Sequence, residues 1–139
     1  MDNSDFLAPV IALIIWTFVV WTILFARRVP AFKAHKVNPE SAKSPNGDWK
    51  AALPLKVEAP AHNYNHLMEQ PTIFYAFMFW AALTGEATAG ILWLAWAYVG
   101  LRIVHSVIQI STGPVMARFG VFLISSICLI GMIVLAILN

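Results

Sequence analysis

Charge and cysteine are both scarce in this 139-residue sequence. Only 12% of the residues are Asp, Glu, Lys or Arg, and the formal net charge is +2. The basic residues are not gathered into a groove with exposed aromatic side chains, so we expect no nucleic-acid partner. Cys128 is the only cysteine, which excludes an internal disulfide. Because it lies in an apolar segment, we interpret it as a packing residue and not as a nucleophile.

Hydrophobic residues, by contrast, make up 60% of the chain. The segments 6–25, 88–110 and 115–138 each approach or exceed the roughly 20 residues that a helix needs to cross a ~30 Å hydrocarbon core. The apolar run at 71–83 is shorter, at roughly 13 residues, and completes a span only with the polar turns upstream from about His62. The sequence therefore predicts an all-α integral membrane protein in contact with membrane lipids. Its single domain, residues 1–139, would be a bundle of four transmembrane helices at approximately 6–26, 62–84, 88–111 and 115–138.

The basic residues predict how this bundle is oriented. The connection at 27–61 contains Arg27, Arg28, Lys33, Lys36, Lys43, Lys50 and Lys56. By the positive-inside rule it should be cytoplasmic, with both termini on the opposite side of the membrane. Its helix-breaking residues predict an irregular segment, either a tether or a lid over a site; they are Pro30, Pro39, Pro45, Gly47, Pro54 and Pro60.

Polar residues recur on one face of each of two neighbouring predicted helices. The positions i, i+3, i+4 and i+7 are His62, Asn65, His66 and Glu69 on the second helix, and Arg102, His105, Ser106 and Gln109 on the third. Counted from the cytoplasmic ends at ~1.5 Å per residue, Glu69 lies roughly 10 Å deep and Arg102 roughly 12 Å deep. An unpaired charge at that depth costs at least ~2.5–3.5 kcal/mol. We therefore predict that Glu69 and Arg102 pair, within one chain or across a subunit boundary.

Two interpretations of these polar stripes are open. They can be interhelical hydrogen bonding that holds the bundle together, or they can line a wet cavity that admits a ligand. Their concentration in the cytoplasmic half favours the cavity. A metal site at His62, His66 and Glu69 is not expected, because Arg102 would repel a cation and the spacing is not that of a zinc protease. Pro71 predicts a kink directly after Glu69.

At these residues the chain resembles the membrane-associated proteins in eicosanoid and glutathione metabolism, the MAPEG family. The segment from Asn65 to Pro71 is similar to the family's Asn/Glu/Pro signature, and the segment from Gly100 to Ser106 is similar to its Arg-x-x-His element. The resemblance implies four-helix subunits that assemble as a homotrimer. It also implies a glutathione site between subunits on the cytoplasmic side.

The resemblance also implies roles for individual residues. Arg118 would be the arginine that stabilises the glutathione thiolate, and Glu69 and Arg102 would be a structural and binding pair. Asn65 or His66 would stand for the signature asparagine, with His105 also in the pocket. Two positions depart from the family pattern: His62 stands where several members have arginine, and Gln109 stands where they have tyrosine. Both departures remove side chains that would bind the glutathione peptide.

Three functions follow from this reasoning. The leading hypothesis is a glutathione-dependent transferase or peroxidase that acts on a lipophilic small molecule entering from the bilayer. The alternative is a catalytically silent membrane scaffold or accessory subunit, and the third is a carrier of a lipid or quinone-like ligand. We expect the protein in a bacterial inner membrane.

Overall fold

The computed structural model describes residues 2–44 and 47–138, and within these ranges the chain is helical with no β-strand. Pro45 of the predicted connection lies outside the described residues. The helices are α1 (Asn3–Ala34), α2 (Leu55–Leu67), α3 (Gln70–Thr84), α4 (Ala89–Ile110) and α5 (Val115–Leu138), and two short 3-10 turns (Pro39–Lys43 and Asp48–Ala52) lie between α1 and α2.

Helix α1 is longer than the sequence predicts, since it continues past Pro30 to Ala34. At ~1.5 Å per residue its 32 residues span ~48 Å, well beyond a ~30 Å hydrocarbon core. The last turns of α1 therefore extend beyond the apolar layer. They carry Arg27, Arg28 and Lys33 on a helix and not on an irregular segment. Arg27 anchors this extension because its Nη1 donates to the carbonyl oxygens of Lys56 at 3.0 Å and Ile110 at 3.1 Å.

The predicted second helix is two helices, and it begins earlier than expected. Helix α2 starts at Leu55, and the α-helical hydrogen bonding is interrupted at Met68 and Glu69 before α3 starts at Gln70. Pro71 explains the position of the break, because a proline has no N–H and fits only the first turn of a helix without losing a hydrogen bond. Glu69 consequently occupies a helix break, where its carbonyl oxygen accepts from Thr72 Oγ1 at 2.7 Å.

The hydrophobic core runs along the centre of the bundle, where α1, α3, α4 and α5 meet. Phe74 of α3 stacks on Tyr98 of α4, with ring centroids 4.6 Å apart, and both side chains are fully buried. Gly85 ends α3 with a left-handed φ of 86°, a conformation that residues with a Cβ adopt only at a cost. Other core side chains are Phe6, Leu13, Val20, Met78, Ile91, Leu129 and Met132.

The outer surface of the bundle is strongly apolar. Phe18 of α1 is 65% exposed, and Trp93 of α4 and Ile137 of α5 are each 75% exposed. Helices α1, α4 and α5 are long and apolar enough to cross a membrane. Side chains of this kind are stable on a surface only when lipid or another apolar partner covers them.

Candidate functional site

The polar faces of α2 and α4 meet, as their spacing predicts. Asn63, which the predicted stripe does not include, donates through Nδ2 to Gln109 Oε1 at 2.9 Å. One turn deeper, Arg102 Nη1 lies 3.3 Å from His66 Nε2, and the rings of His66 and His105 are tilted against each other with centroids 4.7 Å apart. The two helices are therefore joined by side-chain contacts at successive levels.

Arg102 lies inside the bundle and does not face a ligand cavity. It is fully buried, with its guanidinium carbon 5.1 Å from the ring centroid of Tyr98 and 4.9 Å from that of Phe122. A guanidinium held between two aromatic rings gains cation–π attraction in a site that water does not reach. The structure thus packs Arg102 inside the bundle.

The predicted direct pair between Glu69 and Arg102 does not form, and His66 lies between the two residues. Glu69 Oε2 is 3.0 Å from His66 Nδ1, and the Glu69 side chain is 68% exposed. The helix break at Met68 and Glu69 is the physical reason, because it takes Glu69 out of the i, i+3, i+4, i+7 stripe. Arg102 is fully buried within the chain, and its nearest polar side-chain contact is His66 Nε2.

Six of the predicted site residues line one cavity of about 180 Å³, which we call the polar groove. They are His62, His66, Glu69, His105, Gln109 and Arg118. A second cavity of about 220 Å³ shares His66, His105 and Arg118 and is otherwise lined by Val115, Phe119 and Phe122. We call this second cavity the apolar extension. The polar groove and the apolar extension therefore place charged and apolar side chains next to each other.

Arg118 supplies the cationic side of the groove. It lies in the first turns of α5, where its backbone N–H donates to the carbonyl oxygen of Pro114 at 3.2 Å. Its side chain is partly exposed, and its guanidinium forms no hydrogen bond or ion pair with any residue in the described part of the chain. A guanidinium in that state retains its donors for an anionic ligand.

Asn65 is not brought to the groove. It lies on another face of α2 and lines a separate cavity of about 420 Å³ together with Arg28, Trp49 and Lys50; His62 borders both cavities. This third cavity is lined by an ion pair that the sequence analysis does not predict, in which Arg28 Nη2 lies 2.9 Å from both carboxylate oxygens of Glu58. The missed signal was Glu58 itself, an acidic residue in the first turn of a helix.

Metal binding is not supported by the arrangement of ligand-type side chains. Within residues 2–44 and 47–138, no group of three or more His, Cys, Asp or Glu side chains is placed to hold a metal ion. Both ring nitrogens of His66 are already engaged, one by Glu69 and one by Arg102. The groove combines a carboxylate, imidazoles and a guanidinium.

Comparison with known proteins gives one match. The model of the MAPEG family matches residues 6–138, nearly the whole chain, and this match together with the helical structure confirms the predicted all-α membrane bundle. No curated protein and no solved structure is significantly similar to the chain.

Proposed function

The chain belongs to the MAPEG family, and from that premise we propose that it binds a glutathione-like thiol in the polar groove and transfers it to a lipophilic electrophile. The family is in general one of membrane proteins with glutathione-related transferase or peroxidase function. The observation that carries the proposal is the position of Arg118. Its guanidinium has no hydrogen-bond or ion-pair partner in the described part of the chain and borders both the polar groove and the apolar extension.

The groove offers complementary groups to such a thiol. Glu69 provides a carboxylate for the ligand's ammonium, and Arg118 provides the cation for its thiolate. A well-placed guanidinium in a low-dielectric pocket lowers a thiol pKa by ~1–2 units. The thiol proton then leaves to water in the open groove, the sulfur forms the new S–C bond, and the leaving group departs with its electron pair. Phe119 and Phe122 would hold the electrophile.

We also propose the assembly and orientation that the resemblance and the charges favour. The functional unit would be a homotrimer, with the groove at a boundary between subunits and α5 supplying apolar contact surface such as Ile127 and Ile130. The segment between α1 and α2 would face the cytoplasm and both termini the opposite side, as the positive-inside rule favours. Native mass spectrometry from detergent micelles would test this; a monomeric mass under conditions that retain activity would contradict it.

A catalytically silent scaffold is the second candidate, and a specific observation favours it. Glutathione has two carboxylates, whereas Arg118 is the one Arg or Lys among the described residues that line the groove. Arg102 is buried beneath His66, and Gln109 is occupied by Asn63. In a scaffold the same contacts would serve helix packing alone.

The two candidates are separated by the rate of glutathione conjugation to a chromogenic aryl halide by the purified protein in detergent. We expect activity in the wild type and a ~10–100-fold lower rate in Arg118→Ala, which matches a loss of ~1–2 pKa units of thiol activation. Lys43→Ala removes a cation from the exposed segment before α2 and should leave the rate unchanged. A rate that Arg118→Ala does not alter would remove Arg118 from the mechanism, and no activity with any electrophile would favour the scaffold.

A further inference from the structure

His66 is the link between a buried cation and an exposed anion. Its Nε2 lies 3.3 Å from Arg102 Nη1, and its Nδ1 lies 3.0 Å from Glu69 Oε2. The His66 ring also packs against two other rings in tilted arrangements. Its centroid lies 4.7 Å from that of His105 and 5.3 Å from that of Phe122. The imidazole therefore has a fixed orientation with both nitrogens in use.

The chemistry of the two partners decides where the ring proton lies. An arginine side chain has only donors, so the nitrogen that faces Arg102 must be an acceptor. Nε2 consequently carries the lone pair, and in a neutral imidazole the proton is then on Nδ1. Nδ1–H in turn donates to Glu69, whose ionised carboxylate is an acceptor only.

We infer that His66 is locked as the neutral Nδ1–H tautomer and that it is a positioning residue, which holds the Glu69 carboxylate at the wall of the polar groove. An imidazolium would direct a second N–H at the Arg102 guanidinium and would face further positive charge from Arg118. The other titratable neighbours, His62 and His105, add no negative charge. Within residues 2–44 and 47–138, Glu69 is thus the one anionic side chain in contact with the ring.

This assignment deepens the proposed function, on which its ligand-binding part rests. A carboxylate held by His66 on one side of the groove and the Arg118 guanidinium elsewhere on its wall select a thiol that carries an ammonium group. If the carboxylate were not held, its exposed side chain would sample many rotamers, and binding would have to offset that entropy. His66 therefore contributes to affinity without touching the ligand's reacting sulfur.

Two substitutions test the two hydrogen bonds of His66 separately. In His66→Asn the amide nitrogen can take the place of Nδ1 and still donate to Glu69. In His66→Gln the longer side chain can place its amide oxygen where Nε2 accepts from Arg102, and Glu69 loses its donor. We expect His66→Gln to weaken glutathione binding about tenfold, which is ~1.4 kcal/mol, in line with one hydrogen bond to a charged group. His66→Asn should retain most of the affinity.

N-acetylglutathione, which lacks the ammonium, provides the ligand control. Its weaker binding should be the same in the wild type, His66→Gln and His66→Asn, because it does not use Glu69. Equal losses for both ligands in both variants would show that His66 matters only for packing and would overturn the positioning role.

The tautomer itself can be measured without any ligand, by nitrogen-15 NMR of protein labelled at histidine, with His66→Asn identifying the signal. We expect one protonated and one unprotonated ring nitrogen near neutral pH, with the proton on Nδ1. An Nε2–H tautomer or an imidazolium would overturn the inference even if glutathione binds. A correct tautomer without glutathione binding would instead refute the proposed function and leave the structural assignment in place.

Discussion

Neutralising Glu58 should destabilise the end of the bundle on which the groove depends. Both carboxylate oxygens lie 2.9 Å from Arg28 Nη2, and the two side chains are only 6% and 24% exposed. Glu58→Gln keeps an oxygen for one hydrogen bond but leaves the Arg28 charge without its counter-charge. Breaking a buried pair costs ~3–5 kcal/mol, and a hydrogen bond to a charged group contributes ~1.5–3 kcal/mol.

Because Arg28 retains some contact with solvent, we expect a loss of ~2 kcal/mol, below the range for a fully buried pair and within the range for a hydrogen bond to a charged group. For a chain of this length that corresponds to a Tm lower by roughly 6–8 °C, measured by thermal unfolding in detergent. Glu40→Gln is the matched control, since the pair of Glu40 with Lys43 is highly exposed and should contribute little. In an Arg28→Met background the same Glu58→Gln change should cost much less. Equal Tm losses in both backgrounds, or no loss in either, would refute the ion-pair reasoning.

Three further predictions concern the core, a turn and the apolar extension. Phe74→Ala should destabilise the bundle by ~3–5 kcal/mol because it removes a fully buried ring stacked on a neighbour; a Tm near that of the wild type would contradict the packing described. Gly85→Ala should lower stability by ~1 kcal/mol, since the φ of 86° at this position strains any residue with a Cβ. Gly100→Ala should instead raise stability by up to ~1 kcal/mol, because a Cβ at this position within α4 meets no other atom. Opposite signs in thermal unfolding are the expected result, and equal shifts would be inconsistent with it. Phe119→Ala should raise KM for the lipophilic electrophile and leave glutathione binding unchanged; an unchanged KM would exclude the apolar extension as the electrophile pocket.

Helical periodicity predicts part of the contact between α2 and α4. The stripes at i, i+3, i+4 and i+7 place His66 opposite Arg102 and His105, which it contacts, but they omit Asn63 and include Asn65, which lines another cavity. Periodicity applies only while a helix continues, and for that reason Glu69 was misplaced. Pro71 marked the interruption, but the sequence does not indicate how far the chain turns before α3 begins.

The length of α1 could not be predicted from hydropathy either, because its last turns are polar and contain Pro30. Tertiary contacts stabilise these last turns of α1. Arg27 donates hydrogen bonds to the backbone oxygens of Lys56 and Ile110, and Arg28 forms an ion pair with Glu58. Contacts between residues far apart in sequence have no local signature. Asn65 lies at a different cavity because α2 contacts α4 through Asn63 and His66. At ~100° per residue, Asn65 is then turned away from that face.

Calorimetric titration of glutathione into the purified protein tests the central claim most directly, that the polar groove is a thiol-binding site. We expect saturable binding by the wild type and by Glu40→Gln, and binding about tenfold weaker in Glu69→Gln, which removes the carboxylate from the groove wall. Absence of binding at millimolar glutathione, or binding that Glu69→Gln and Arg118→Ala leave unchanged, would contradict the claim.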